Sequence, residues 1–136
     1  MTADTSLVAS LNASPLPLAA RLGIRFVSAS VDEVIAELEI TPDLCTSGNI
    51  MHGGTAMALA DTVGAVATFI NLPEGASGTT TIESKTNFLA ACPVGEMVRA
   101  IATPVHRGRR TQMWQTRIQR GDGKLVAITS QTQMVL

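Results

Sequence analysis

A chain of 136 residues is long enough for one domain with a substantial core and too short for two. Its 10 Lys and Arg residues against 11 Asp and Glu residues give a formal net charge of −1, which argues against nucleic acid or an anionic membrane as a partner. Cys45 and Cys92 lack metal-ligand spacing, and residues 1–10 lack the basic start of a signal peptide. We therefore expect a cytoplasmic protein with no metal site. The sequence contains no run of about 18 apolar residues free of charge, so we predict no membrane span.

The first predicted segment is an N-terminal leader, residues 1–22. Its prolines and many small residues predict that it is loosely held, with one short helix and no functional site. A single domain is expected from residue 23 to residue 136. Its first elements are two strands between Gly23 and Thr41, where Val and Ile partly alternate with polar residues, joined by a turn near residues 30–32.

A long helix is predicted from about Gly54 to Ile70, because this segment is rich in Ala and contains no Pro. Four strand candidates follow, separated by the turn sequences CPVGE, RGR and GDGK: residues 77–89, 96–106, 111–120 and 124–135. This order predicts an α+β fold in which one helix covers one antiparallel sheet. Because the helix is apolar nearly all round, a second copy of the chain is expected to cover what the sheet leaves open.

Asp61 is the one formally charged residue between Asp43 and Glu74. It lies in the middle of the predicted helix, among small and apolar neighbours. One interpretation is an ordinary surface acid. The other is a catalytic group, because an unpaired carboxylate in apolar surroundings is costly and is seldom present without a partner or a task.

The sequence His52-Gly53-Gly54 stands where the predicted helix begins. Glycines let a ligand approach the backbone, and the first N–H groups of a helix are unpaired and carry the positive end of its dipole, so they can stabilise an oxyanion. A plain glycine turn is the alternative. Asp61 lies eight residues beyond Gly53, about 12 Å along a helix axis, so the two cannot flank one carbonyl within a single chain. If they cooperate, the site lies between subunits.

These residues resemble a known family. The sequence MHGGTAMALAD, the flanking strands and the later HRGRRTQ hairpin are similar to the hotdog-fold acyl-CoA thioesterases of the PaaI-like and 4-hydroxybenzoyl-CoA thioesterase type. The resemblance covers about Gly23 to the C-terminus, and HGG followed eight residues later by an acid is its most specific part. It implies a long helix wrapped by a curved antiparallel sheet, homodimers with two shared sites that commonly pair into homotetramers, and hydrolysis of an acyl-CoA thioester without metal or cofactor.

By position, the resemblance implies that the backbone N–H of Gly53 polarises the thioester carbonyl. Asp61 of the partner subunit would be the nucleophile or general base. His52 would fix the loop and reach the thioester, with a cap or packing role as the alternative. Thr81, on the strand TTTIESK, matches a hydroxyl that holds the attacking water in some relatives, with an ordinary strand residue as the alternative. Thr62 is a weaker substitute for Thr81.

The family also implies an amide that positions the acyl group or the water. Many relatives place Asn or Gln six residues before the histidine of the Gly-Gly motif, and here that position is Thr46. The nearest amide is Asn49, three residues before His52. Either the loop is rearranged and Asn49 substitutes, or that role is missing.

The hairpin HRGRR displays a cluster of basic residues around a tight turn: His106, Arg107, Gly108, Arg109 and Arg110. In the family the matching region lies near the phosphates of CoA, so these residues are candidates for binding the CoA part of the substrate, and a solvated surface turn is the alternative. Four further residues are candidates for an acyl pocket, with core packing as their alternative: Met57, Met97, Met113 and Trp114.

Two other functions remain open at the level of sequence. One is a hydroxyacyl-thioester dehydratase, although neither His52 nor His106 matches the histidine arrangement of that class. The other is a non-catalytic acyl-CoA-binding module. The identity of the acyl group cannot be predicted, and aromatic, phenylacetyl-type and medium-chain groups all fit.

Overall fold

Two helices form the N-terminal segment of the computed structural model, which describes residues 2–136. They are α1 (Thr5–Ala13) and α2 (Pro17–Leu22). The carboxylate of Asp4 caps α1, and a proline begins α2 at a position where its missing N–H has no consequence. The segment therefore holds two helices where one short helix was expected.

Hydrogen bonds at both ends of α1 attach it to the strand that follows. The N–H of Asp4 donates to the carbonyl of Ala29 at 2.8 Å. Near the other end, the side chain of Asn12 donates to the carbonyl of Phe26 at 2.9 Å and accepts from the N–H of Phe26 at 2.8 Å. The expectation of a loosely held leader was wrong, because Asn12 satisfies the main chain of Phe26 as a neighbouring strand would.

An antiparallel sheet follows. Its strands are β1 (Arg25–Ala29), β2 (Val34–Glu39), β5 (Thr79–Phe88), β6 (Met97–Arg107), β7 (Thr111–Gln119) and β8 (Leu125–Val135). They are paired in the order β1-β2-β6-β7-β8-β5, and all six were predicted to within a few residues at each end. A 3₁₀ turn, Pro42–Leu44, and a small hairpin of β3 (Cys45–Thr46) and β4 (Ile50–Met51) occupy the segment expected to be a plain loop.

The long helix α3 (Gly53–Ile70) packs across the sheet against β2, β5, β6, β7 and β8. Leu59 and Val63 are fully buried, and small residues of β6, Ala100 and Ala102, let the helix approach the sheet closely. The mean hydropathy of α3 is 1.3 over 18 residues, enough for a membrane span by composition alone, but half of this segment is buried inside the fold, as in a core helix. The predicted α+β arrangement of one helix on one antiparallel sheet is confirmed.

One stripe of α3 is left open by its own sheet. Met57, Asp61, Ala65 and Phe69 are spaced four residues apart and therefore share a face of the helix. Met57 and Phe69 are 39% and 63% exposed, while Asp61 and Ala65 are half-buried. Asp61 thus lies on the open face, between apolar residues.

Strand β5 forms one edge of the sheet, with β8 as its neighbour. It is ten residues long, and the register with β8 shifts between Thr81 and Glu83, which places a bulge at Ile82. Ile82 and Phe88 are 54% and 56% exposed. A long edge strand with exposed apolar side chains is a surface that proteins normally cover.

Candidate active site

The start of α3 is capped by His52. Its backbone is extended, and its Nδ1 accepts a hydrogen bond of 2.8 Å from the N–H of Gly54. A ring nitrogen that accepts leaves the proton of the neutral imidazole on Nε2, so only Nε2 is free to meet a ligand. Of the two roles considered for His52, the structure shows the cap.

The N–H of Gly53 is an unpaired donor at this helix start. Within residues 2–136 it donates to no acceptor, and it stands at the positive end of the helix dipole. A side chain here would be crowded, because a Cβ would lie 3.1 Å from Cε1 of Phe88. At Gly54 a Cβ would lie 2.9 Å from Nδ1 of His52. Steric crowding therefore explains why glycine occupies both positions. The N–H of Gly53 remains available to an oxyanion.

The carboxylate of Asp61 is held through one oxygen. Its Oδ1 accepts hydrogen bonds from Oγ1 of Thr81 at 2.6 Å and from Nε2 of Gln131 at 3.1 Å. Its Oδ2 has no hydrogen-bond partner in residues 2–136. The two donors fix the plane of the carboxylate and leave one oxygen for chemistry, which is the arrangement that a positioned base or nucleophile needs.

A chain of polar side chains supports this carboxylate from behind. Gln133 donates from Nε2 to Oγ1 of Thr81 at 2.6 Å, and Oγ1 of Thr79 donates to Oε1 of Gln133 at 2.9 Å. Because the Thr81 hydroxyl accepts from Gln133, its own proton is directed at Asp61. Gln131 and Gln133 are 1% and 0% exposed. Buried side-chain amides that are hydrogen-bonded in this way hold the neighbouring side chains in a single arrangement.

Sequence reasoning missed these two glutamines. The available signal was their spacing: Gln131 and Gln133 are two residues apart in a strand, so they share the face that also carries buried Ala127. The glycine in the middle of α3 belongs to the same feature. A Cβ on Gly64 would overlap the amide of Gln131, so only glycine lets this side chain cross the helix to reach Asp61.

Asn49 and Thr46 lie in the small hairpin before α3. Asn49 is exposed, has a φ of 56°, and its carbonyl accepts from the N–H of Val94 at 2.8 Å. Asn tolerates this left-handed backbone better than most residues, so the turn explains its presence. The side-chain amide that contacts Asp61 in this chain is that of Gln131. The hydroxyl of Thr62 is occupied by the carbonyl of Ala58 at 2.8 Å.

The basic hairpin divides into two parts. Nη1 of Arg107 donates to the carbonyl of Val31 at 2.7 Å and to Asp32 at 3.0 Å, and it lies 3.3 Å from Oδ1 of Asn71. Arg107 therefore connects the β1–β2 turn to the end of α3. Arg109 and Arg110 are exposed and line a shallow cleft.

Gly108 forms the turn of this hairpin. Its N–H donates to the carbonyl of Thr111 at 2.9 Å, and a Cβ here would lie 2.6 Å from Nε2 of His106. The imidazole of His106 therefore packs against the turn. Of the proposed acyl-pocket residues, Trp114 is fully buried and donates to Oε1 of Gln112 at 3.0 Å, which makes it a core residue.

Comparison with known proteins connects this site to a family. The sequence profile of the thioesterase superfamily matches residues 48–127, from the turn before α3 to the start of β8. The chain belongs to the thioesterase superfamily. Its members named below include a thioesterase and a CoA hydrolase, and the chain is accordingly a thioester hydrolase.

Individual members of the superfamily match over most of their length. A thioesterase structure from Haemophilus influenzae has a TM-score of 0.89, covers 100% of this chain and 95% of its own, and is 28% identical. The 1,4-dihydroxy-2-naphthoyl-CoA hydrolase of Escherichia coli is 29% identical over 115 residues, which are 85% of this chain and 83% of that protein. The PaaI protein of the E. coli phenylacetic acid degradation operon shares the fold, with a TM-score of 0.86 at 21% identity over 96% of this chain and 92% of its own. The expected hotdog fold is confirmed.

Proposed function

We propose that the chain hydrolyses acyl-CoA thioesters to a free acid and CoA, with Asp61 as the nucleophile or general base. The observation that carries this proposal is the carboxylate of Asp61, whose Oδ1 is held by Thr81 and Gln131 and whose Oδ2 is free. Water is the co-reactant. Its oxygen ends on the acyl carbon, the C–S bond breaks, and the sulfur of CoA leaves as the thiol after taking up a proton.

The oxyanion donor in this proposal is the N–H of Gly53 of the partner subunit. A reacting carbonyl must lie about 3 Å from its donor and from the attacking group. Gly53 and Asp61 are about 12 Å apart along α3, so one chain cannot supply both. Two facing copies can, each giving its helix start to the other's acid, and such a dimer contains two equivalent sites.

Strand β5 supports this assembly. Its open edge and the exposed Ile82, Phe88 and Leu89 would be covered by a second copy, and Phe88 also packs beside Gly53. The outer sheet face carries half-buried Met113 and Ile128, which two dimers could share in a tetramer. Arg109 and Arg110 are the residues that we assign to the CoA phosphates, because Arg107 is already bonded within its own chain.

Asp61→Asn tests the chemistry. An amide keeps the shape and most hydrogen bonds of the carboxylate but is a poor base and a poor nucleophile. We expect kcat for release of CoA thiol to fall by about 10²–10⁴-fold. The oligomer should persist, and the melting temperature should be unchanged or higher, because a charge in apolar surroundings has been removed. Thiol release from a panel of acyl-CoAs and thermal unfolding, measured on the same preparation, give both quantities.

Two results would contradict the proposal. One is a fully active, normally assembled Asp61→Asn protein. The other is a wild-type protein that binds acyl-CoA but releases no thiol, which would favour a binding module. Acid quenching of a single turnover then separates the two roles of Asp61. A nucleophilic carboxylate displaces the CoA thiol and holds the acyl group as a mixed anhydride that water then hydrolyses, whereas a general base forms no covalent intermediate.

A further inference from the structure

An apolar cavity of about 440 Å³ lies between α1, the second half of α3 and the start of β5. Leu7 and Leu11 of α1 form one wall, and Ala65 and Phe69 of α3 form the opposite wall. Its volume is within the range of small-molecule sites, which begins at roughly 300 Å³. The leader was expected to carry no site, and here it supplies one side of a cavity.

The cavity continues the face of α3 that carries Asp61. Ala65 is one helical turn beyond Asp61 and Phe69 is two turns beyond, about 6 and 12 Å along the axis. All three side chains are on the open stripe of the helix. A group bonded to a carbonyl at Asp61 and directed along this stripe therefore enters the cavity.

The lining offers no charge. The residues around the cavity are uncharged, and the hydroxyl of Thr79, at its rim, is occupied by Gln133 and the carbonyl of Met134. A carboxylate or ammonium placed inside would lose its hydration without gaining a partner. An alkyl chain or an aromatic ring would gain contacts instead.

Helix α1 is anchored to β1, and its inner side chains face the cavity. None of its residues is fully buried, although Leu7 and Leu11 are directed inward. The bonds of Asp4 to Ala29 and of Asn12 to Phe26 hold both ends of the helix on β1. The position of Leu11 therefore limits how far a bound group can extend.

We propose that this cavity binds the apolar part of the acyl group, so that the substrates are thioesters of medium-length alkyl or aromatic acids without a charge at the far end, and that α1 sets the upper limit of acyl size. This inference rests on the function proposed above. It adds the substrate class and assigns acyl selectivity to Leu11, a residue of the leader that does not touch the reacting atoms.

The test is the ratio of kcat/KM for decanoyl-CoA to kcat/KM for acetyl-CoA. Leu11→Trp fills the cavity, and we expect it to lower this ratio by about 10- to 100-fold, the usual effect of blocking a hydrophobic pocket. Leu11→Ala enlarges the cavity and keeps a residue of high helix propensity. It should raise kcat/KM, relative to that for acetyl-CoA, for acyl chains longer than the one that the wild-type protein prefers. The matched control is Leu18→Trp, the same change at a 55% exposed position of α2 that does not line the cavity.

The outcomes separate this inference from the proposed function. If the wild-type protein hydrolyses no acyl-CoA, the proposed function fails. If it hydrolyses acyl-CoA but Leu11→Trp and Leu11→Ala both keep the wild-type ratio, only the acyl cavity fails. A wild-type preference for succinyl-CoA over hexanoyl-CoA would also overturn it, because the cavity has no partner for a second carboxylate. Should Leu11→Trp not fold, Leu11→Ala alone decides.

Discussion

The orientation of Asp61 depends on a side chain of β8. The side chain of Gln131 reaches Oδ1 of Asp61 only by crossing α3 at Gly64, where any Cβ would overlap its amide. Its own Oε1 is buried without a hydrogen bond in residues 2–136, so the position of Gln131 is set by one bond and by packing. Orientation of the acid is therefore sensitive to a single methyl group on the helix.

Gly64→Ala is expected to reduce both activity and stability. Overpacking costs about 1–3 kcal/mol, which outweighs the gain of about 1 kcal/mol that Ala normally gives in a helix. Displacement of Gln131 should lower kcat by up to about 10²-fold, as for other misplacements near 1 Å. Kinetics and melting temperature check this. Gly121→Ala is the control, because its Cβ would meet nothing nearer than 3.6 Å.

The double variant Gly64→Ala/Gln131→Ala removes the overlap. It should recover stability but not kcat, since Asp61 then lacks its amide donor. Full recovery of kcat would show that Gln131 has no part in positioning the acid.

Cys92 should be inert at the pH of a thiol assay. It is 1% exposed, and burial, with a smaller contribution from Glu96, raises the pKa of its thiol from 9.0 to about 11. At pH 8 we expect iodoacetamide to label the partly exposed Cys45 and to reach Cys92 only in denaturant, as read by mass spectrometry. Labelling of Cys92 first in the native protein would contradict this.

The same pKa gives a direction for stability. Between pH 9 and about 11 the unfolded thiol loses its proton while the folded thiol keeps it, so the free energy of unfolding should fall as pH rises through this window. Cys92→Ala should remove this contribution to the slope.

At the scale of elements, the basic hairpin combines a structural and a binding part. Arg109→Ala/Arg110→Ala should raise KM for acyl-CoA by about fivefold per arginine, because an exposed charged contact contributes up to about 1 kcal/mol. Arg107→Ala should lower the melting temperature more, because the bonds from its guanidinium to Val31, Asp32 and Asn71 are lost. The control substrate is a thioester of N-acetylcysteamine, which lacks the nucleotide. If Arg109→Ala/Arg110→Ala raised KM equally for acyl-CoA and for the N-acetylcysteamine thioester, the hairpin would have a role in folding alone.

Most elements could be predicted from local pattern. The Ala-rich run gave α3 to within one residue of its start, because composition and the absence of proline act locally. The pair β3 and β4 could not be predicted, since two-residue strands have no period. A short helix was expected in the leader, but the attachment of α1 to β1 was not, because it depends on Asn12 meeting Phe26, a contact that only the folded chain creates.

The candidate site, like the fold, could be predicted from the sequence only in part. Asp61 and Gly53 are visible as an acid in an apolar run and a glycine pair at a helix start. The contact of Thr81 with Asp61 needs the packing of α3 against β5 to be known. Gln131 and Gln133 were hidden, because a glutamine in a strand is ordinarily placed on the solvent face.

At the scale of the whole molecule, the proposed site should be divisible between two inactive chains. Gly53→Pro removes the N–H but suits the first helical position, and His52 with φ −64° and ψ 139° already has the backbone that precedes proline. Co-expressed with Asp61→Asn under a second tag, it gives heterodimers with one intact and one doubly altered site. We expect about half of wild-type activity from these heterodimers and almost none from either parent.

Purification through both tags and thiol release measure this directly. Heterodimers no more active than their parents would show that each chain uses its own Gly53 and Asp61. Gly53→Cys is the comparison variant, because it keeps the N–H but adds a side chain beside Phe88. It distinguishes the effect of losing the donor from the effect of crowding.

The supports of Asp61 come from far along the chain. Gln131 is separated from Asp61 by 70 positions, and Gln133 from Thr81 by 52. Local bonds suffice to form α3, whereas these contacts need long loops to close first. On the ribosome, α3 and β5 are made before β8, so a nascent chain carries the acid on a helix with no amide to orient it. The carboxylate therefore becomes oriented only when β8 docks on the sheet.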